Sequence, residues 1–238
     1  QFSQRDRDHS AVLQVLHGNV YRIRSQKCKS AMLISDSHQF IFVHIRKAAG
    51  SSIRDTLEPL SLVKPTDNWS KIKSRFLGTE KDYKKYAFRQ HDSINVAKRL
   101  MPTELFESYF KFAFVRNPWD RLVSEYEFIR RRPDHGRHSK VMKMGFEKYI
   151  VYQSKRFDAH QINMLADKNG NVLMDFIGKF ENLHDDWNRV TDKLGIENKE
   201  LTHRKKAGIK DYNSYYTDES RALVSELWKR DIEAFGYH

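Results

Sequence analysis

Short apolar runs, each followed by a polar turn and an amphipathic stretch, set the rhythm of this chain. Phe40-Ile41-Phe42-Val43-His44-Ile45 is rich in aromatic and β-branched residues and is short enough for a buried strand. Tyr86-Ala87-Phe88-Arg89-Gln90 reads as a second strand ending at His91, and Phe110-Lys111-Phe112-Ala113-Phe114-Val115 as a third. Each run leads into a helix. Ser51 to Leu57 reads as the first turns of one, and Glu58-Pro59 ends it, because proline disfavours helical geometry in the residue before it. Asp92 or Ser93 suits the cap of a helix over Ile94 to Leu100. Asn117 suits another cap and Pro118 the first helical position, after which Leu122, Val123 and Tyr126 recur at helical spacing.

The remaining pattern fills in around these units. Ala11 to Leu16 reads as a short helix and Ala31 to Ile34 as a short strand. Residues 60–83 read as a polar loop with one helical turn near Trp69 to Arg75, long enough to suggest a functional role. Glu104 to Tyr109 and Phe146 to Tyr152 are helical, and Asn169-Gly170 is a pair that closes a hairpin, with Val172 to Ile177 pairing or docking after it. Leu183 to Leu194 is an amphipathic helix ended by Gly195. Asp218 to Phe235 reads as one last helix, with Leu223, Leu227, Ile232 and Phe235 on one side. Alternating strands and helices predict an α/β fold, a central parallel sheet flanked by helices. No repeat or linker divides the chain, so a single domain over residues 1–238 is expected, with its core at about 38–237 and a peripheral segment at 1–37.

Ligands of such sheets bind at the carboxyl ends of the strands. Three features fall there: Lys47 with Gly50-Ser51-Ser52, then His91, then Arg116. A strand, a turn and a helix N-terminus form an anion site, because the first helical N–H groups lack internal partners and the dipole favours negative charge. Lys47 adds a charge, Ser51 and Ser52 add hydroxyl donors, and Gly50 allows close backbone approach. The wiring is not a Walker A loop, since Lys47 precedes the glycine instead of following it. Arg116, with Ser124 a little over two helical turns on, suits a second phosphate. His91, with an ordinary pKa near about 6.5, suits proton removal from a hydroxyl. Each has a plainer reading: a structural corner with an incidental lysine, an Arg116 ion pair with Asp120 or Glu181, and a His91 that only caps. His44 and His160 read as packed residues, and His135 and His138 as solvated members of the basic loop RRRPDHGRH.

Composition narrows this little. The chain has 238 residues, 39% of them hydrophobic and 13% aromatic, enough for a sizeable core. A formal charge of +12 attracts nucleic acid, membrane surfaces, acidic glycans or phosphorylated cofactors without choosing among them. No apolar run approaches the ~18–20 residues of a membrane span. QFSQRDRDHS does not read as a secretory signal, while a start at Gln1 leaves open a preceding anchor. Cys28 is the only cysteine, which excludes an intrachain disulfide and a cysteine-based zinc site and fits a reducing compartment. No acidic cluster is arranged for magnesium, and no metal is expected.

FIFVHIRKAAGSSI resembles the 5′-phosphosulfate loop of sulfotransferases that use 3′-phosphoadenosine-5′-phosphosulfate (PAPS), and FKFAFVRNPWDRLVSEYEF resembles their 3′-phosphate motif. The two occur in that family's order and interval. The version here is similar to the carbohydrate sulfotransferases that include the heparan 2-O-sulfotransferases and bacterial relatives. The resemblance extends through DFIGKFENLHDDW and YYTDESRALVSELWKRDIEAFGY, over about residues 38–237. It implies a P-loop-like sulfotransferase fold and sulfuryl transfer from PAPS to a hydroxyl, with a carbohydrate or other hydroxyl-bearing acceptor as partner and no nucleic acid. Lys47 would stabilise the leaving phosphate. Gly50, Ser51 and Ser52, in a turn that includes Arg46 and Ala49, would hold the 5′-phosphate. Arg116 and Ser124 would hold the 3′-phosphate, and His91 would be the base. Lys205 and Lys206 would cover the 3′-phosphate, although Ala207 stands where the family usually has glycine. The familiar turn reads PKTGGTS or PKTAGTS; here Arg46 replaces the proline, Ala48 the first threonine and Ser51 the second. The cysteines common in Golgi-luminal members are absent, which favours a cytoplasmic protein over a luminal domain without its anchor. The rival classes are a nucleotide-phosphate kinase, which would need a Walker A lysine and a metal-binding carboxylate, and a non-catalytic binder of polyanions.

Overall fold

The computed structural model describes residues 13–16, 19–22, 32–62, 83, 84, 86, 88, 92–197, 201 and 211–238. Strand β1 (Leu13–Leu16) pairs antiparallel with β2 (Asn19–Arg22) in a separate hairpin. The central sheet contains β3 (Met32–Ser35), β4 (Phe40–Val43), β5 (Phe110–Val115) and β6 (Phe176–Lys179), in the order β3-β4-β5-β6. The strands β4, β5 and β6 are parallel, as the alternating pattern predicts, and β3 adds an antiparallel edge. Both faces are covered, so the strands are near-continuous apolar runs.

Alternation divides the core between those faces. Phe40, Phe42, Phe112 and Phe114 point to one side, where Ile53 and Leu57 of α1 (Gly50–Leu57) meet Trp187 and Val190. Ile41, Val43, Ala113 and Val115 point to the other. That side is built from α2 (Ile94–Leu100), α3 (Thr103–Ser108), α4 (Pro118–Arg130), α5 (His138–Val141), α6 (Phe146–Ser154) and α7 (Gln161–Leu165). Trp187 and Val190 belong to α8 (Leu183–Leu194), which closes at Gly195 with φ 62°, the left-handed cap expected for that glycine. Asn117 caps α4 as its sequence predicts, its Oδ1 accepting from Trp119 N at 3.0 Å and Asp120 N at 3.4 Å. Asn169-Gly170 lies in a turn closed by a bridge between Ala166 and Val172, with Gly170 at φ 88°.

Several expectations need correction. Leu13–Leu16 is a strand and not the helix read over Ala11 to Leu16; its partner across His17-Gly18 decides the conformation, and local spacing does not reveal that partner. Tyr86 and Phe88 lie outside any strand. Both neighbours of β4 and of β5 are already occupied, and Tyr86 and Phe88 pack instead as an edge-to-face pair with centroids 5.0 Å apart. The final helix is two, α9 (Asp218–Leu227) and α10 (Lys229–Phe235). The break is at Trp228, whose fully buried indole donates to Ala159 O at 2.9 Å. The expectations for Trp69 to Arg75, for His91 and for Lys205 and Lys206 fall outside the described residues.

Candidate active site

Because β4 and β5 run parallel and in register, their carboxyl ends deliver residues 44–49 and 116–117 to one rim. The turn after β4 is tightly wound. Lys47 has φ 64° and Ala49 φ 58°, both in the left-handed region that non-glycine residues enter at a cost of about 1–3 kcal/mol. Ala49 is the N-cap of α1, and its carbonyl accepts from Ser52 N at 3.0 Å and Ile53 N at 3.3 Å. The first N–H groups of α1 therefore face the turn, as in anion-binding corners. Gly50 is required here for a reason the sequence does not show. A Cβ on it would lie 1.9 Å from His44 Cδ2 and 2.3 Å from His44 Nε2. His44 is itself buried and stacked on Phe42, so it has little room to yield.

Lys47 Nζ lies 4.2 Å from the centre of the Phe128 ring. Burial, together with the positive charge of Arg116, Arg46 and Arg132, lowers its pKa to about 8, and Glu125 opposes that shift. The ammonium is thus held by an aromatic face among other cations, poised to gain from an anion.

Arg116 sits directly beside this turn. Its Nη1 donates to Lys47 O at 3.0 Å and to Ser124 Oγ at 3.1 Å. Its Nε and Nη2 form a fork onto Asp120, at 2.8 and 2.7 Å, and Phe180 covers the guanidinium face at 4.1 Å. The ion pair with Asp120, the plainer reading of Arg116, is therefore present alongside the pairing with Ser124. Glu181, the other acid named for it, accepts instead from Asn117 N and from Tyr237 Oη. Of the five guanidinium N–H groups, one on Nη2 is left. Ser124 accepts from Arg116, so its own hydroxyl proton is available to a ligand.

Two supports for this rim escape sequence reasoning. Gln161 clamps the Arg116 backbone on both sides: Oε1 accepts from Arg116 N at 3.0 Å and Nε2 donates to Arg116 O at 2.9 Å. Gln161 N and Ile162 N in turn donate to the fully buried Asp231 carboxylate at 2.8 and 3.0 Å. The second support is at Arg46, whose side chain turns inward, Nε 3.5 Å from Glu125 and Nη1 4.0 Å from Asp158. No periodicity marks Gln161 or Glu125, since each works through partners distant in sequence. Among the other histidines, His135 and His138 are half-buried and hydrogen-bonded, not solvated, because their loop folds back on α4: Arg137 N donates to His135 Nδ1, and His138 Nδ1 lies 3.0 Å from Ile129 O. His160 packs on Trp228, as expected for a structural residue. No group of acidic, histidine or cysteine side chains suited to a metal occurs among the described residues.

Comparison with known proteins decides the family. A model described as "Sulfotransferase family" matches residues 30–238. This chain belongs to the sulfotransferase family. Within that family it is 22% identical to mouse carbohydrate sulfotransferase 11 over 242 aligned residues, covering 87% of this chain and 66% of the mouse protein. An uncharacterized protein of Archaeoglobus fulgidus is 31% identical over 97 residues, 39% of this chain and 73% of that one. The structure of mouse sulfotransferase SULT7A1 complexed with PAP superposes with a TM-score of 0.49 at 16% identity, covering 93% of this chain and 95% of that one. The α/β architecture expected from the sequence, helices on both faces of a largely parallel sheet, is the one this chain adopts.

Proposed function

We propose that this protein transfers the sulfuryl group of PAPS to a hydroxyl of a carbohydrate acceptor. One observation carries the reading: Arg116 Nη1 bonds both the Lys47 carbonyl and Ser124 Oγ, so the two anion-binding elements form one continuous rim. The donor set fits two phosphates. The α1 N-terminus, Lys47, Ser51 and Ser52 suit the 5′ end, while the spare Nη2 proton and the Ser124 hydroxyl suit the 3′ end. The carbohydrate acceptor is supported by the likeness to carbohydrate sulfotransferase 11.

PAPS, when bound, supplies the sulfuryl group and departs as 3′-phosphoadenosine-5′-phosphate (PAP). The chain's own residues do the rest. His91 takes the proton of the acceptor hydroxyl as its oxygen bonds to sulfur. Lys47 and the first N–H groups of α1 stabilise charge growing on the 5′-phosphate oxygen as its bond to sulfur breaks; preorganised donors contribute most at this stage. Asp120 holds Arg116 in orientation without consuming its last N–H.

Calorimetric titration with PAP, with ATP as control, tests the cofactor. Tight PAP binding that exceeds ATP binding is expected. Arg116→Ala should weaken it by roughly tenfold to a hundredfold, the worth of a charge-assisted hydrogen bond with Asp120 left unpaired beside the phosphate. Equal binding of PAP and ATP would overturn the assignment, and salt-sensitive binding of heparin without PAP binding would point to a polyanion-binding protein. His91→Ala should keep PAP affinity while transfer of labelled sulfate from PAPS falls by about 10²–10⁴. A variant that retains transfer would remove His91 from the mechanism.

A further inference from the structure

Glu125 lies on α4, one turn before Phe128, and only 2% of it is exposed. Its Oε1 accepts from Arg137 Nη2 at 2.5 Å, its Oε2 from Gln153 Nε2 at 3.0 Å, and Arg46 Nε lies 3.5 Å from Oε1. Gln153 is tied back to Arg137, whose Nη1 donates to its Oε1 at 2.9 Å. Asp158 draws Arg46 from the other side and is itself paired with Arg156 at 3.0 Å. Arg46 immediately precedes the lysine whose backbone is left-handed. The turn is therefore anchored from beneath by a buried carboxylate, at the position where the familiar family turn has a rigid proline.

We propose that Glu125, acting through Arg46, is a positioning residue for Lys47: it pins the turn in place of the missing proline and supplies the negative charge that keeps this lysine cationic among arginines. The inference rests on the reading of Lys47 as a phosphate-binding residue. The charged groups acting on Lys47 come from each element around it: Arg46 in its own turn, Arg116 after β5, Glu125 on α4 and Arg132 just beyond α4. Of these Glu125 alone is an anion. Burial by itself would raise the Glu125 pKa, but Arg46, Arg137 and Arg121 hold it below the usual carboxylate range, so it stays ionised at neutral pH. Removing its charge takes away the anion that acts directly on Lys47 against the three guanidiniums. Removing Arg46 does the reverse. A proline gives rigidity without charge; the Arg46–Glu125 pair gives rigidity and also sets the pH at which Lys47 loses its proton.

The test is the alkaline limb of PAP affinity, measured by calorimetry from pH 6.5 to 9.5. In Glu125→Gln the limb should move about one pH unit toward acid, with a roughly tenfold loss of affinity on the limb. In Arg46→Met it should move toward alkali. The double variant Glu125→Gln/Arg46→Met removes one charge of each sign and should return the limb close to the parent position, an outcome that a merely structural role does not produce. Glu125→Asp should restore most of the single-variant loss. Unmoved limbs, or single-variant shifts of the same sign, would overturn the proposal. Titration of the Lys47 ammonium by nuclear magnetic resonance in lysine-labelled protein reads the same shifts with no ligand present. If the parent protein fails to bind PAP, the sulfotransferase reading fails while this titration still decides the role of Glu125.

Discussion

Lys47→Met should abolish sulfuryl transfer, lower PAP affinity and yet raise the melting temperature. The expected loss follows from the proposed role of Lys47, whose ammonium would face the leaving phosphate. The gain follows from linkage. The folded state depresses the pKa of this lysine to about 8 from 10.5, so below pH 8 the chain carries a charge that folding disfavours. That penalty is complete below about pH 8 and fades as pH rises toward 10.5, because the unfolded chain binds the extra proton only in this window. At pH 7 its removal is worth roughly 1–2 kcal/mol after allowance for solvent screening, or a few degrees in a chain of this size. Calorimetric melts at pH 7 and pH 10 check it: the variant should be more stable at pH 7, and the difference should shrink at pH 10. A variant that is less stable at both would refute the depressed pKa. Function and stability oppose each other at this residue, as is common where a charge is kept desolvated for a ligand.

Gly50→Ala should disable the protein almost as thoroughly by a different route. The new methyl group meets the His44 ring at 1.9 Å, far inside contact distance, and His44 is enclosed by the core beside β4. Either the ring or the turn must move. Overpacking of this kind costs about 1–3 kcal/mol, and a displaced turn also misaligns the α1 N–H groups. A lower melting temperature together with lost PAP binding is expected, and pairing the change with His44→Ala should recover much of both. Full PAP affinity in the single variant would show that the close approach of His44 does not constrain the turn.

Sequence and structure agree best where local chemistry is decisive. Asn117-Pro118 caps its helix, Gly195 ends another, and the runs at Phe40 and Phe110 become adjacent parallel strands. That Lys47, Arg116 and Ser124 would meet on one rim was legible from residue type and from their places at or just beyond strand ends. What was not legible depends on partners far along the chain. The alternation at Tyr86 to Gln90 resembles a strand, but a strand needs a vacant edge beside it, and the sheet offers none at its centre. Trp228 breaks a helix without glycine or proline because its indole is drawn into a buried hydrogen bond. Arg46 reads as one more cation for phosphate, yet its side chain points down to Glu125, some eighty positions on.

The hold of Asp231 on the start of α7, and of Gln161 on Arg116, bears on the order in which the molecule is made. Arg116 and the lysine turn are synthesised well before the carboxylate that braces them, since Asp231 comes about 115 residues after Arg116. A nascent chain therefore carries Lys47, Arg116 and Ser124 before it has the carboxylate that, through Gln161, braces the Arg116 backbone. The rim is complete only when the helix that carries Asp231 docks, and a chain released before that residue would leave a sheet with no properly seated arginine.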